Sequence, residues 1–370
     1  MFILTRIFPA LLGLFLPLLA PAQVMNDPAS QKLVLTILDN IYNLEFSEAD
    51  GLIKQLQVRY PHHPVGPVLR ATQIELQHIP LSDNKAASAQ FAQAVDQGMQ
   101  LARRMLDKNE KDPEAVFFML TCHSYLASLY NNQGESLKAV GESKKAYDFI
   151  RDGFKLVDKN SDFYFTTGLY NYYVERYPIE HPIVKPIMFF FADGNMAKGL
   201  QQMDVAAQRG LFMRTVANYY LAHIQLKYES NPAKAVAYSN YLIDKFPANP
   251  LFTMIYAEAL LLSGRYSEAR PYVQRLKQMP GKLVPLAVST FSGLLAEMAD
   301  KKDKEAAEFY EAALRLPVNV TYTKEYQAFA YAGLARIASR ARDRKKADMY
   351  YKKVLAIAQY KSLIREARAY

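Results

Sequence analysis

The chain has 370 residues, 51% of them hydrophobic, with 15 Gly, 19 Pro and a formal net charge of +9. That balance excludes an intrinsically disordered chain and leaves ample apolar surface for a core. The single Cys122 excludes an intramolecular disulfide, and 26 Tyr with no Trp suit helix faces that are half packed and half wet.

Residues 1-22 read as a secretory signal. Arg6 supplies the positive start, Leu11 to Leu19 the short apolar run, and Ala20-Pro21-Ala22 the small residues that a signal peptidase needs, leaving Gln23 as the mature start. The run is short for a membrane span of about 20 residues and is punctuated by Pro9 and Pro17. Export to the periplasm or envelope of a bacterium is the expectation, with no integral membrane span later in the chain.

The body of the chain, 23-370, is written in a repeating unit. From about Ser30, Leu33 and Ile37 begin one helix, Asn43 to Phe46 turn, and Ala49, Ile53 and Leu56 lead to Pro61. Helices are predicted over 64-78, 84-106, 113-130 and 135-157, with Asp112-Pro113 as a cap and first turn. Cys122 reads as a buried filler. Ser161 or Asp162 is expected to cap a helix carrying Phe165, Gly168, Leu169 and Tyr173. Its partner is expected over 195-208, with Ala197 as the small residue at the crossing. Between them, 177-191 holds three prolines and the apolar run Pro186 to Phe191, which predicts an inserted short helix.

The unit is clearest from Val216 to Lys282. Ala235 and Leu242 in one segment recur 34 residues later as Ala269 and Leu276, each pair after a turn-forming stretch, Glu229-Ser230-Asn231-Pro232 and Ser263-Gly264-Arg265-Tyr266. Small residues at helix crossings let two axes approach closely. The 7-residue offset from Ala49 to Leu56 matches that from Ala235 to Leu242, and Ala306 to Ala313 repeats it. A final pair covers 323-339 and 344-357, and 362-369 adds a capping helix. The fold class is therefore all-α, a solenoid of about eight antiparallel helix pairs, with the clearest repeats at 30-63, 216-249, 250-283 and 328-361 and a modified one at 161-210.

Period, spacing and the wording of 257-269 (Ala-Glu-Ala-Leu-Leu-Leu-Ser-Gly-Arg-Tyr-Ser-Glu-Ala) resemble the tetratricopeptide repeat superfamily. Residues 161-210, with a Gly-Leu-Tyr helix, an apolar insert and Gly-Asn-Met-Ala-Lys-Gly-Leu, also resemble the tetratricopeptide repeat protein thirty-nine family. The resemblance implies a superhelix that binds a protein or peptide on a concave face lined by the first helix of each pair. Tyr220 and Lys227, then Met254 and Glu258, then Arg336 and Arg340 are the candidate partner-binding residues there, with Tyr170 and Tyr173 in the modified repeat. The Lys and Asn set with which some members clamp a peptide's C-terminal carboxylate is not present.

Chemistry finds little footing. The six histidines form no His-Glu-x-x-His pair, and His223 reads as a satisfied core histidine. Neither a Gly-x-Ser-x-Gly elbow nor a phosphate-cradling glycine loop occurs, so no catalysis, cofactor or metal is expected. The alternative is a glycan-binding or carbohydrate-active helical protein, with Asp162, Glu175 and Glu180 beside Tyr164, Tyr170, Tyr172, Tyr173 and Tyr177. Between Arg340 and Tyr370, ten basic residues face three acidic ones. This excess suits either a solvated terminal helix that caps the solenoid or contact with an anionic envelope surface, whereas base-stacking aromatic-basic interleaving for nucleic acid is missing.

Overall fold

The structure is a computed structural model that describes residues 24–180, 185 and 191–370. Among the described residues there are seventeen α-helices and no strand. They run as consecutive antiparallel pairs: α1 (Pro28–Tyr42) with α2 (Phe46–Arg59), α3 (Val65–Gln77) with α4 (Lys85–Leu106), α5 (Pro113–Asn132) with α6 (Ser136–Leu156), and α7 (Phe163–Glu180) with α8 (Met196–Arg209). The second half continues with α9 (Arg214–Lys227) and α10 (Pro232–Lys245), α11 (Pro250–Leu262) and α12 (Tyr266–Leu276), α13 (Val284–Leu294) and α14 (Asp303–Leu314), and α15 (Lys324–Arg340) and α16 (Arg344–Ile357). The last helix, α17 (Lys361–Ala369), covers the end of the stack. None of the described helices is long and apolar enough to cross a membrane.

Local chemistry starts and stops these helices. Asp27, Asp112, Asn231 and Asn249 each precede a proline, and each accepts a hydrogen bond from a backbone N–H of the first turn that follows, which opens α1, α5, α10 and α11. The turns inside six of the pairs share one device: a residue with positive φ two positions before the second helix. It is Leu44, Gly134, Ser230, Gly264, Lys301 or Arg342. Only the two glycines adopt this left-handed conformation without steric penalty.

The 34-residue register is visible in the core. Ala49, Ala235, Ala269, Ala306 and Ala347 are fully buried, as are Leu56, Leu242, Leu276, Ala313 and Val354 seven residues on. The modified repeat departs from the alanine rule. There α7 crosses α8 at Gly168 and Gly199, whose carbonyl oxygens would lie 2.6–2.7 Å from a Cβ on the opposite glycine. Ala197, expected at that crossing, faces solvent instead. Asp162 does not cap α7 through its side chain. Its buried carboxylate accepts from the N–H groups of Phe212 and Met213 at 3.0 and 2.9 Å and so anchors the α8–α9 connection. The helix expected between 177 and 191 falls largely outside the described residues, and α7 itself continues through Pro178 to Glu180. Cys122 is fully buried in α5, and desolvation, with Asp96 nearby, pushes its thiol up to about 12.

The stack coils tightly enough to meet itself. Asp39 at the end of α1 pairs with Lys245 at 2.7 Å, the Asn249 amide donates to the Tyr42 carbonyl at 2.9 Å, and the Tyr42 ring packs 5.5 Å from Phe246. The same seam continues with Asp83 and Lys282 at 3.2 Å, and with Thr321 donating to Asn132 at 3.2 Å. The turns within pairs one, two and three thus rest on the connections between pairs five and six, six and seven, and seven and eight. One superhelical turn therefore takes between four and five pairs.

Candidate functional site

The first helices of successive pairs touch each other: α1 and α3, α3 and α5, α9 and α11, α11 and α13, and α13 and α15. In a curved stack the inner radius is the crowded one, so these helices form the inner wall. Because the coil meets itself after so few pairs, first helices from distant parts of the chain come within electrostatic reach of one another.

Tyrosines and carboxylates recur on these first helices. Glu75 at the end of α3 lies within electrostatic reach of Tyr42 on α1, Tyr125 on α5, Tyr220 on α9 and Tyr322 just before α15. Glu75 keeps partial contact with solvent, yet desolvation pushes its carboxyl up to about 7. Surrounding protein lowers the local dielectric and disfavours the charged form. Desolvation also raises the phenol of Tyr220, although 39% of that residue is exposed.

Glu258 on α11 is set deeper. The phenol of Tyr326 donates to its carboxylate at 3.2 Å and that of Tyr360 closes on the other oxygen. Burial still pushes this carboxyl up to about 7 against those two hydrogen bonds and against Lys227. Lys227 also bears on His223, which burial and that charge hold down to about 3. His223 is therefore neutral, and it stands edge-on to Tyr219 with ring centroids 4.5 Å apart. It is partly exposed on the inner wall and is not the core histidine that the repeat pattern suggested.

Of the residues singled out from sequence, Tyr173, Tyr220 and Lys227 keep accessible surface, whereas Glu258 is 2% exposed and lies beneath it. Tyr173 lies against Tyr228 at 6.1 Å and within reach of Tyr220. Met254 is 3% exposed and belongs to the core. Tyr170 packs 5.4 Å from Tyr147 and donates to the Ala192 carbonyl at 2.6 Å, beside the insert. Arg336 and Arg340 belong to an ion network around Glu297, which sits on the π-helical turn Leu295–Ala299 after α13. Arg336 holds both oxygens of Glu297 at 2.9 and 2.7 Å and also meets Glu366 at 3.1 Å. Arg340 grips Asp303 with two bonds and reaches Glu297 at 3.0 Å. Burial alone would raise the Glu297 carboxyl, but these arginines and the Tyr310 hydroxyl hold it below the ordinary range.

The carboxylates considered for glycan chemistry are dispersed in role. Asp162 anchors backbone, and Glu175 accepts from the N–H of Met196 at the start of α8 at 2.9 Å. The Glu180 side chain lies outside the described residues. Among the described residues no three His, Cys, Asp or Glu converge on a common point that could hold a metal ion. Sequence reasoning missed Glu75, Tyr42, Tyr125, Tyr219 and Tyr322, which sit on first helices or just before one. Only the pitch of the coil gathers them.

No protein-family model matches this chain, and neither does any curated protein. Solved structures do show likeness. The C-terminal part of a tetratricopeptide repeat-containing protein from Cytophaga hutchinsonii is 15% identical over 73% of this chain and 93% of its own, with a TM-score of 0.36. A tetratricopeptide repeat protein from Parabacteroides merdae is 15% identical over 81% and 98%, with a TM-score of 0.33. Human IFIT1, solved as a dimer with PPP-AAAA, is 13% identical over 89% and 95%, with a TM-score of 0.37. The chain resembles tetratricopeptide-repeat proteins in being a solenoid of antiparallel helix pairs, and its own helix pairing and 34-residue register carry that description.

Proposed function

We propose that this protein is a non-catalytic interaction scaffold that holds a segment of a partner protein or peptide on the inner wall of its superhelix. The observation that supports this reading is that Tyr220, Tyr125 and Glu75 on first helices, and Tyr322 just before one, keep accessible surface, with Tyr220 39% exposed. Tyrosine offers large, rigid, amphipathic contact area at low entropic cost, which favours it in recognition surfaces. A photo-crosslinking amino acid placed at position 220, compared with one at the exposed outer position Val140, tests it. Discrete, saturable adducts from 220 alone are expected; equal labelling from both positions would sink the reading.

Export belongs to the same proposal. The signal-like features of residues 1-22 support a mature chain that works in a bacterial envelope, and N-terminal sequencing of the processed protein checks this. The exposed Lys345, Lys346, Lys352 and Lys353 of α16 support contact with an anionic envelope surface.

A further inference from the structure

A cavity of about 600 Å³ is formed by the first turns of α2, the second half of α3 and one residue of α4. Its least exposed lining residues, Gln73 at 4% and Ile74 at 9%, mark the floor. The Gln73 amide nitrogen donates to the Phe46 carbonyl and to Asp50 Oδ1, each at 3.3 Å. Both neighbours are acceptors, which fixes the orientation of the amide and leaves its Oε1 over. That oxygen is buried and has no hydrogen-bond partner among the described residues. Buried acceptors are nearly always satisfied, so an orphaned one on a cavity floor marks a place for a donor from outside.

The charges around the cavity are unequal. Asp50 is the hub: its Oδ1 accepts from Gln73 and from the Arg70 guanidinium, and its Oδ2 meets Lys54 Nζ at 3.5 Å. Two cations therefore share the one carboxylate of the lining. Among the described residues, the other two nitrogens of Arg70 make no hydrogen bond. Phe46 adds an aromatic side chain to the wall. The volume lies within the range of small-molecule sites, about 300–1,000 Å³.

The geometry points to this cavity as a binding site for one acidic sugar, a hexuronate. A ring hydroxyl donates to Gln73 Oε1, the carboxylate takes up the excess charge of Arg70 and Lys54, and the C–H face of the ring lies on Phe46. Guanidinium pairs well with carboxylate, and ring carbons gain dispersion against an aromatic face. A carboxylate without hydroxyls would leave Oε1 unpaired, and a neutral sugar would leave the charge unbalanced. The site goes beyond the scaffold reading and does not depend on a partner segment at position 220.

The test is calorimetric and ligand-observed NMR titration of the full chain with glucuronate, galacturonate, glucose and cyclohexanecarboxylate. The last probe matches a uronate in charge and ring size but has no hydroxyl. One of the uronates should bind about five-fold or more tighter than both glucose and cyclohexanecarboxylate. Gln73→Met removes the acceptor at nearly constant volume and should weaken uronate binding about ten-fold. Lys54→Ala, at a position where 71% of the side chain is exposed, leaves folding intact and should weaken it about three-fold. Equal affinity for cyclohexanecarboxylate would reduce the site to an anion contact, and equal affinity for glucose would remove the role of the charge. Either result overturns the proposal, as does uronate affinity unchanged in both variants or no binding by either uronate. Crosslinking from position 220 is unaffected by all of these outcomes, so the two readings fail separately.

Discussion

The side-chain amide of Asn249 donates to the backbone carbonyl of Tyr42 at 2.9 Å across 207 residues of chain. The same side chain accepts from the N–H groups of Leu251 and Phe252 and so caps α11. One buried residue thus opens a helix and fastens the first turn of the coil to the second. Asn249→Ala should cost about 2–3 kcal/mol, a lost cap plus an orphaned buried carbonyl. Asn249→Asp keeps the capping oxygens but not the donated bond, and should retain the capping share. Urea midpoints measure the loss and small-angle scattering the loosening; an Ala variant as stable and compact as the parent would contradict the double role.

Left-handed residues in the turns offer the opposite effect. Lys301 and Arg342 hold φ of 56° and 62° at the position where Gly134 and Gly264 stand in other pairs. Lys301→Gly and Arg342→Gly should each stabilise the chain by about 0.5–1 kcal/mol, because relief of the Cβ clash exceeds the added entropy of the unfolded chain. Thermal melts of the single and double variants check both the sign and additivity.

The glycine crossing in the modified repeat makes a sharper distinction. A Cβ at Gly199 would lie 2.6 Å from the Gly168 carbonyl oxygen and 2.7 Å from the Tyr172 backbone nitrogen. Backbone cannot step aside as a side chain can, so Gly199→Ala should destabilise by about 3 kcal/mol. Ala197→Leu, on the solvent face two residues earlier, should stay within about 0.5 kcal/mol. Chemical denaturation of the two variants side by side decides whether Gly199 or Ala197 makes the crossing.

Glu258 dictates a pH response. Its carboxyl titrates at about 7 in the folded chain against an ordinary 4.5, so over that window the folded state holds a proton that the unfolded state has lost. Its stabilising share is fully present below about pH 4.5 and declines as pH rises through about 7. Glu75, at about 7, and Asp162, at about 6, act with the same sign. Unfolding free energy should therefore fall by roughly 1–3 kcal/mol per buried carboxyl between about pH 5 and pH 8. Glu258→Gln should flatten that slope, and a parent protein that gained stability over the same range would refute the assignment.

The repeat was legible in sequence because it is local: an alanine at the crossing in all but the modified pair, a leucine or its like seven residues on, and in four pairs an Asx-Pro start are all set within one pair. Pair boundaries from Pro28 to Ile357 follow from those signals. What sequence did not disclose was the pitch, since Tyr42 meets Phe246, and Asp83 meets Lys282, through contacts with no periodic trace. With the pitch hidden, Tyr220 could be placed on a first helix but not seen to lie within electrostatic reach of Glu75 on α3. Arg336 and Arg340 looked available for the same reason, because Glu297 reaches them only across the π-helical turn. The Gly168–Gly199 contact stood in plain view as two glycines, yet the alanine rule of the other pairs drew the eye to Ala197.

A string of repeats usually melts like a frayed rope, from its ends inward, since each unit knows only its neighbours. Here the bonds at Asn249, Lys282 and Thr321 tie early units to late ones. Loss of a terminal pair would then unlatch its distant counterpart. The molecule should come apart in one concerted event, and trimming either end should weaken the whole and not merely shorten it.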